Sequence, residues 1–305
     1  MSSSPYVVAG EALVDIVVPA EGGEEHAPGG SPLNVAVGLA RLGVDTVLIT
    51  ELGDDEHGKL TAEHAVGSGV VLHEQSVLPG HRTSTATAHL GHDRAATYDF
   101  DLTWDIGARQ LPAGARGLHV GSIGASLRPG RENVVDLVRQ AAAAGLLVSF
   151  DPNARPAFLP EPEQAFEDLL EVAAFAQLVK LSDEDVEHLA PGRSPADLAA
   201  GLLEHSATTR LVVVTHGGTA AEAYTRTETV RVPSRPVEVV DTVGAGDSFM
   251  AALIATVLEW GIDDHSRERL EALLTAAHQV AALTCGRRGA NPPTRRELPS
   301  GWPAG

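Results

Sequence analysis

Along most of the chain, short continuous apolar runs alternate with longer stretches whose apolar positions recur at helical spacing. The runs YVVAG (6–10), TVLIT (46–50), LHVGS (118–122), LLVSF (146–150), LVKLS (178–182) and LVVVTHG (211–217) are rich in branched residues. Each ends in polar or glycine punctuation, as strands buried on both faces of a parallel sheet do. Between them, NVAVGLARLG (34–43), ENVVDLVRQAAAAG (132–145), QAFEDLLEVAAFA (164–176) and SPADLAAGLLEHS (194–206) read as helices. This alternation predicts right-handed βαβ units, and so an α/β fold with an open, doubly wound, mostly parallel sheet. Two segments break the rhythm: ALVDIVVP (12–19) and RTSTATAHLGHDRAATYDFD (82–101) alternate apolar or small residues with polar ones. That is the period of half-exposed antiparallel strands, and it predicts a small β sheet standing off the main body as a lid. With no internal repeat or linker, a single domain over 1–305 is expected, its lid formed by about 12–19 and 82–104.

Composition narrows the classes of function. Hydrophobic residues make up 43% of the chain, too many for a disordered protein. The formal net charge of −19 argues against nonspecific nucleic-acid or anionic-membrane binding, since both need a basic face. Anionic ligands stay open, because they need only a local positive site. Lys59 and Lys180 are the only lysines, and Cys285 is the sole cysteine, which excludes an intramolecular disulfide. The opening residues, MSSSPYVVAGEALVDIVV, lack a basic segment and carry Glu11 and Asp15 inside the apolar stretch. They read as neither signal peptide nor membrane span, which makes a cytoplasmic location the expectation.

Three glycine-bearing junctions carry candidate chemistry. In VDTVGAGDSF (240–249), Gly244, Ala245 and Gly246 open a helix, with Asp247 in its first turn. A helix N-terminus offers unpaired N–H groups and a partial positive charge, and glycine lets a ligand approach the backbone. Read plainly, the stretch is a tight turn with an ordinary first-turn aspartate. Read chemically, the turn holds a phosphate and Asp247 receives a proton. In GGSPLNVAVGLARLG (29–43), Gly29 and Gly30 precede another helix, and Asn34 can both donate and accept hydrogen bonds. Thr215-His216-Gly217-Gly218 places hydroxyl and glycine at a strand's C-terminal end, where open α/β sheets bind ligands.

Together these motifs resemble the ribokinase-like carbohydrate kinases of the PfkB family, over nearly the whole chain. The signatures are GGSPLNVAVGLARLG and DTVGAGDSF, and DPNARP (151–156) and FDLTW (100–104) point to the bacterial fructokinase branch. The resemblance implies that Asp247 is the catalytic base and that the Gly244, Ala245 and Gly246 amides form an anion hole for the transferring phosphoryl group. It implies sugar contacts from Asp15, Gly30 and Asn34, and ATP contacts from Thr215, Gly217 and His278. It implies a monovalent-cation site, potassium first, at Asp241 with the carbonyls around Val243, Thr284 and Gly289. Where many members have Asn-x-x-Glu for magnesium and its waters, this chain has Ser182-Asp183-Glu184-Asp185, with Asp185 at the last position. Ala220 stands where a glycine is expected. By the same resemblance the lid sheets pair between subunits, so a homodimer is expected.

Two further patterns compete for attention. GDDEHGK (53–59) begins like a P-loop, but Leu60 replaces the hydroxyl that would hold magnesium. HLGHD (89–93) could hold a metal, although a polar hairpin turn explains it as well. The function expected is transfer of the ATP γ-phosphate to a primary hydroxyl of a ketohexose, fructose first. Arg155 in DPNARP keeps 2-keto-3-deoxygluconate as the second choice, because an acidic sugar needs a cation. Ribose or a nucleoside as acceptor also fits the resemblance. From another class, a catalytically silent regulator that binds sugar or nucleotide would fit the same scaffold, but it would have no need of Asp247 as a base.

Overall fold

The computed structural model describes residues 4–20, 22–90 and 96–303. Part of HLGHD, including His92 and Asp93, lies outside them; His89 pairs with Asp99 across a strand pair at 3.1 Å. The main sheet has nine strands. Seven run parallel: β1 (Tyr6–Ala9), β4 (Thr46–Ile49), β6 (Val71–Leu72), β10 (Gly117–Gly121), β11 (Leu147–Asp151), β12 (Leu178–Ser182) and β13 (Leu211–His216). A hairpin of β14 (Ala220–Tyr224) and β15 (Thr229–Pro233) adds an antiparallel edge. The order is β15-β14-β13-β12-β11-β10-β1-β4-β6. All six apolar runs form strands of this sheet, because helices cover both its faces.

One face carries α1 (Ser31–Arg41), α2 (Glu56–Gly67), α7 (Ala245–Trp260) and α8 (Arg267–Cys285). The other carries α3 (Gly130–Ala143), α4 (Pro162–Ala173), α5 (Asp183–Leu189) and α6 (Pro195–His205). Each layer closes its own apolar core, so the sheet is doubly wound. From β1 the chain steps outward to β4 and β6, whereas from β10 it steps the opposite way. The crevice beyond the C-terminal ends of β1 and β10 is therefore a topological switch point, the usual ligand position in such sheets. No helix among the described residues is long and apolar enough to cross a membrane.

A second sheet of four strands has the order β3-β2-β8-β9, from β2 (Leu13–Val18), β3 (Glu25–Gly29), β8 (Thr85–Leu90) and β9 (Ala96–Asp101). Two of its pairings are antiparallel, while β2 and β8 run parallel. Segments 12–19 and 82–101 supply three of these strands, as their alternation predicts; β3 adds one that the charged EEHAPG stretch does not advertise. The segment after β9 returns to the main body at Trp104, whose indole donates to the Gly124 carbonyl at 2.9 Å. The P-loop look-alike forms the short β5 (Leu52–Gly53), paired with β7 (Val77–Leu78), and the start of α2. There Asp55 caps the helix, accepting from the Gly58 amide at 2.8 Å, so a carboxylate sits where a phosphate would go.

Helices α1 and α7 meet at Gly38, where an added Cβ would stand 2.7 Å from the Ala251 Cβ. That contact sets the spacing of the two helix N-termini. Gly38→Ala should cost stability, because overpacking by a methyl costs about 1–3 kcal/mol while helix propensity returns at most about 1. The expected result is a lower urea midpoint with an unchanged m-value. A midpoint at or above wild type would mean that the helices have slack at this crossing.

Candidate active site

Helix α7 begins at the switch-point crevice with Gly244 as its N-cap, in the left-handed region at φ 74°. A side chain there would also meet Ala290, whose Cβ lies 2.6 Å from the position of an added Cβ. The loop preceding α7 and the 286–290 loop are thus locked together through glycine. The Ala245 amide turns back to the Thr242 carbonyl at 3.2 Å, so it is not the open donor the motif suggested. Among the described residues, no acceptor meets the amides of Gly244, Gly246 and Asp247. Three donors and the helix dipole therefore converge on one point.

Asp247 is buried beside them. Its Oδ1 accepts from the Ser31 hydroxyl at 2.6 Å and its Oδ2 from the Asn34 amide at 2.8 Å. Both donors sit in the first turns of α1, just after Gly30, whose φ is 104°. Asn34 leaves its Oδ1 buried without a partner. Asp15 comes from β2 of the small sheet, packed so tightly on Gly29 that an added Cβ would lie 2.0 Å from its Oδ2. Burial pushes its carboxyl up to about 6; Arg155 opposes this and the charge of Asp247 adds to it. Arg155 itself is exposed.

Three participants were not singled out from the sequence. Glu11 follows β1 and accepts from the Gly124 amide at 2.7 Å, and burial pushes it up to about 7. Lys180 on β12 and Asp151 on β11 form a buried ion pair at 2.8 Å. Burial alone would lower the Lys180 ammonium, but Asp151, Asp185 and Asp247 outweigh it and hold the proton on. A lone lysine inside the apolar run LVKLS, one of only two in the chain, was the available signal.

Asp185 is drawn into the protein's own hydrogen bonds. Its Oδ2 accepts from the Ser182 amide and hydroxyl at 2.7 and 2.8 Å, a capping box for α5, and its Oδ1 from the Ala154 amide at 2.6 Å. These three donors hold the Asp185 carboxylate rigidly and leave about one of its four lone-pair sites open, while Asp183 and Glu184 on the same turn are exposed. On the far side of the crevice, Thr215 is the next-to-last residue of β13 and Gly217 turns at φ 50°. Ala220 pairs with His216 across that hairpin, a strand position with no need of glycine. His278 is buried edge-on against Phe249 at 5.2 Å, its Nε2 3.3 Å from the Val232 carbonyl, a packed position with little face left for a ligand.

Asp241 joins the two loops at the α7 N-terminus. It accepts from the Val243 amide at 3.0 Å and the Gly289 amide at 2.8 Å, and these bonds hold its carboxyl below the usual range. The Thr284 carbonyl accepts from the Arg287 amide, and the Gly289 carbonyl from the Asn291 amide. No group of three or more His, Cys, Asp or Glu among the described residues could hold a metal, so any cation here would rest on this one carboxylate and carbonyls.

A doubly wound sheet with a second small sheet over its crevice, an aspartate against open helix amides and a glycine turn across from it together define a phosphotransferase-type site. The chain belongs to the pfkB family of carbohydrate kinases, whose model matches residues 6–296. It is 35% identical over 289 residues to a fructokinase of Klebsiella pneumoniae, covering 92% of this chain and 91% of that protein. A crystal structure of the Xylella fastidiosa fructokinase with bound ATP superposes with a TM-score of 0.80 at 28% identity, covering 94% of each chain. A double mutant of the Vibrio cholerae fructokinase, solved with fructose, ADP and a potassium ion, gives 0.79 at 27% identity over 95% of each chain.

Glu11 makes stability depend on pH. Folded, it ionises only near 7, against an ordinary value of 4.5. The stability it contributes is present below about 4.5 and is lost as pH rises through about 7, on the order of 3 kcal/mol in all. Glu11→Gln should therefore gain on wild type between pH 5 and pH 8. Urea unfolding at both pH values checks this, and parallel pH dependence in the two proteins would refute it.

Proposed function

We propose that this protein is an ATP-dependent fructokinase. The observation that carries the reading is Asp247, held between Ser31 and Asn34 and set against three open amides at the start of α7. A fructose primary hydroxyl would lie between this carboxylate and the γ-phosphate. As the new O–P bond forms and the bond to ADP breaks, Asp247 takes the hydroxyl proton. The Gly244, Gly246 and Asp247 amides meet the non-bridging oxygens where charge develops. Asp15 and the unpartnered Asn34 Oδ1 accept from other sugar hydroxyls, with Gly30 shaping the floor. Thr215 and Gly217 line the ATP phosphate side, and His278 bounds the nucleotide pocket by its edge.

Chain 1–305 acts in this reading as one kinase domain, with the small sheet as a lid that excludes water. Tyr98 and Phe100 on β9 stack at 6.2 Å yet stand 62% and 42% exposed, which supports pairing of two lids in a homodimer. Magnesium would arrive with ATP and neutralise phosphate charge, with Asp183 the carboxylate open to its waters. Potassium suits the ionised Asp241 and nearby carbonyls of Val243, Thr284 and Gly289, where it would steady the loop carrying the donor amides. A second reading, 2-keto-3-deoxygluconate, rests on Arg155, whose charge reaches Asp15.

Coupled ADP release across fructose, ribose, adenosine and 2-keto-3-deoxygluconate tests the acceptor. Fructose should give the highest kcat/KM; a tenfold lead for the keto-acid, erased by Arg155→Ala, would overturn the choice. Asp247→Asn should lower kcat on the order of 10²–10⁴-fold, the worth of a positioned base, with ATP affinity kept. Retention of half the wild-type kcat, with chemistry rate-limiting, would remove the base from Asp247.

Turnover should be faster in potassium chloride than in sodium or choline chloride at equal ionic strength. Asp241→Ala should abolish the difference. Equal rates of the wild type in all three salts would exclude the cation site.

A further inference from the structure

Lys180 is the one buried cation at the site, and the proposed reaction leaves it unused. Along β12, Leu178 and Lys180 face the layer of α1, α7 and α8, while Val179 and Leu181 face the opposite core. The lysine is 4% exposed, two residues before the C-terminal end of its strand, and its long side chain reaches toward the crevice end of α7. An added Cβ at Gly246 would stand 3.6 Å from its Nζ, which places the ammonium directly under the first turn of α7. Of its three donors, one meets Asp151 Oδ2 at 2.8 Å.

Charge makes this placement purposeful. A lysine is among the residues least often buried, and a buried ion pair returns little net stability over an apolar pair of equal size. Here one ammonium faces Asp151, Asp185 and Asp247, three carboxylates, in the place to which a triphosphate would bring further negative charge. Even with magnesium on the nucleotide, the carboxylate that takes the proton and the phosphoryl group that leaves its anhydride link to ADP would repel each other at close range unless a fixed cation stood beside them. The three open amides supply partial charges only.

We infer that Lys180 is a catalytic residue of the phosphoryl transfer, donating a hydrogen bond through Nζ to a non-bridging oxygen of the transferring group while Asp151 holds it in place. The ammonium keeps its protons throughout; the sugar oxygen forms the new phosphate ester, the hydroxyl proton goes to Asp247, and ADP leaves with the electrons of the broken phosphoanhydride bond. Asp151 is then a positioning residue, and the register of β11 against β12, Phe150 beside Val179, is what sets the pair side by side.

The inference rests on the kinase reading, and its test separates the two. Lys180→Met alone would strand a buried carboxylate and endanger folding, so the informative protein is the double variant Lys180→Met with Asp151→Asn, which removes both charges together. Using the sugar that the acceptor panel selects, its kcat should fall on the order of 10²–10³-fold, the usual worth of one preorganised donor, with the KM for sugar little changed. Its affinity for ADP with aluminium fluoride and sugar, a flat mimic of the phosphoryl group, should fall by a similar factor, while affinity for ADP alone holds. Asp151→Asn, which keeps an acceptor for Nζ, should lose far less kcat than the double variant. If the pair is merely structural, the neutral double variant will recover a third or more of wild-type kcat and bind the mimic as wild type does. Either result overturns the assignment. A failure of the kinase reading looks different, since wild type would then release no sugar-dependent ADP and bind no mimic.

Discussion

The hydrogen bonds from Ser31 and Asn34 to Asp247 hold the site in register, and they join residues 216 and 213 positions apart. They exist because α1 and α7 lie side by side with their N-termini level, a spacing set where Gly38 meets Ala251. Neither carboxylate oxygen is left to rotate, so Asp247 is aimed before any ligand arrives. The open amides of α7 acquire chemical meaning only in that setting. A helix N-terminus will bind an anion almost anywhere, but here the anion and the proton acceptor are one turn apart on the same rigid rod.

The same crevice concentrates acid. Glu11, Asp15 and Asp151 all have carboxyls raised by burial, to about 7, 6 and 6, and Asp247 adds to the shift of each. Such crowding lowers stability near neutral pH, and nothing in the packing of the sheet demands it. The fold itself would be served as well by apolar residues at those positions. Carboxylates kept against that cost, Glu11 and Asp151 at the C-terminal ends of parallel strands and Asp15 on the small sheet facing them, are the physical mark of a site that handles hydroxyls and their protons.

Much of this was legible in sequence, and the exceptions have a common cause. Continuous apolar runs announced the strands of the main sheet, because a strand covered on both faces has no choice of pattern. The glycine turn before Asp247 was legible because positive φ and close approach leave few residue types. Lys180 and Asp151 carry no sign of their pairing in sequence, since only the register of β11 on β12 brings them together. Asp185 sits at an ordinary first-turn position of α5 in sequence, and only the fold brings it the Ala154 amide besides the two donors of Ser182. Strand β3 is silent in sequence because it is an exposed edge strand with no buried face to impose alternation. Local pattern reports burial well, whereas which polar groups meet is decided by tertiary register.

The site divides into a rigid part and a part carried on the small sheet. Asp247, Ser31, Asn34, Lys180 and Asp151 are all buried within the helix and sheet layers, where close packing resists displacement. Asp15 is carried instead by the small sheet, whose outer attachments are weak ones. Arg288 pairs with Glu25 of β3 on the surface, and His26 meets His57 of α2 at 3.1 Å, both in solvent. Exposed pairs of this kind contribute about 0–1 kcal/mol each, so the sheet is held chiefly through its inner end, where Leu13 and Val14 of β2 are buried. Phe100 on β9 already touches Phe158, beyond the DPNARP turn, at 4.9 Å. In the proposed reaction a sugar gripped by Asp15 would add contacts between these halves. Fixing the base in the helix layers while placing the sugar's carboxylate on a separate sheet lets the substrate bridge the two parts of the proposed site.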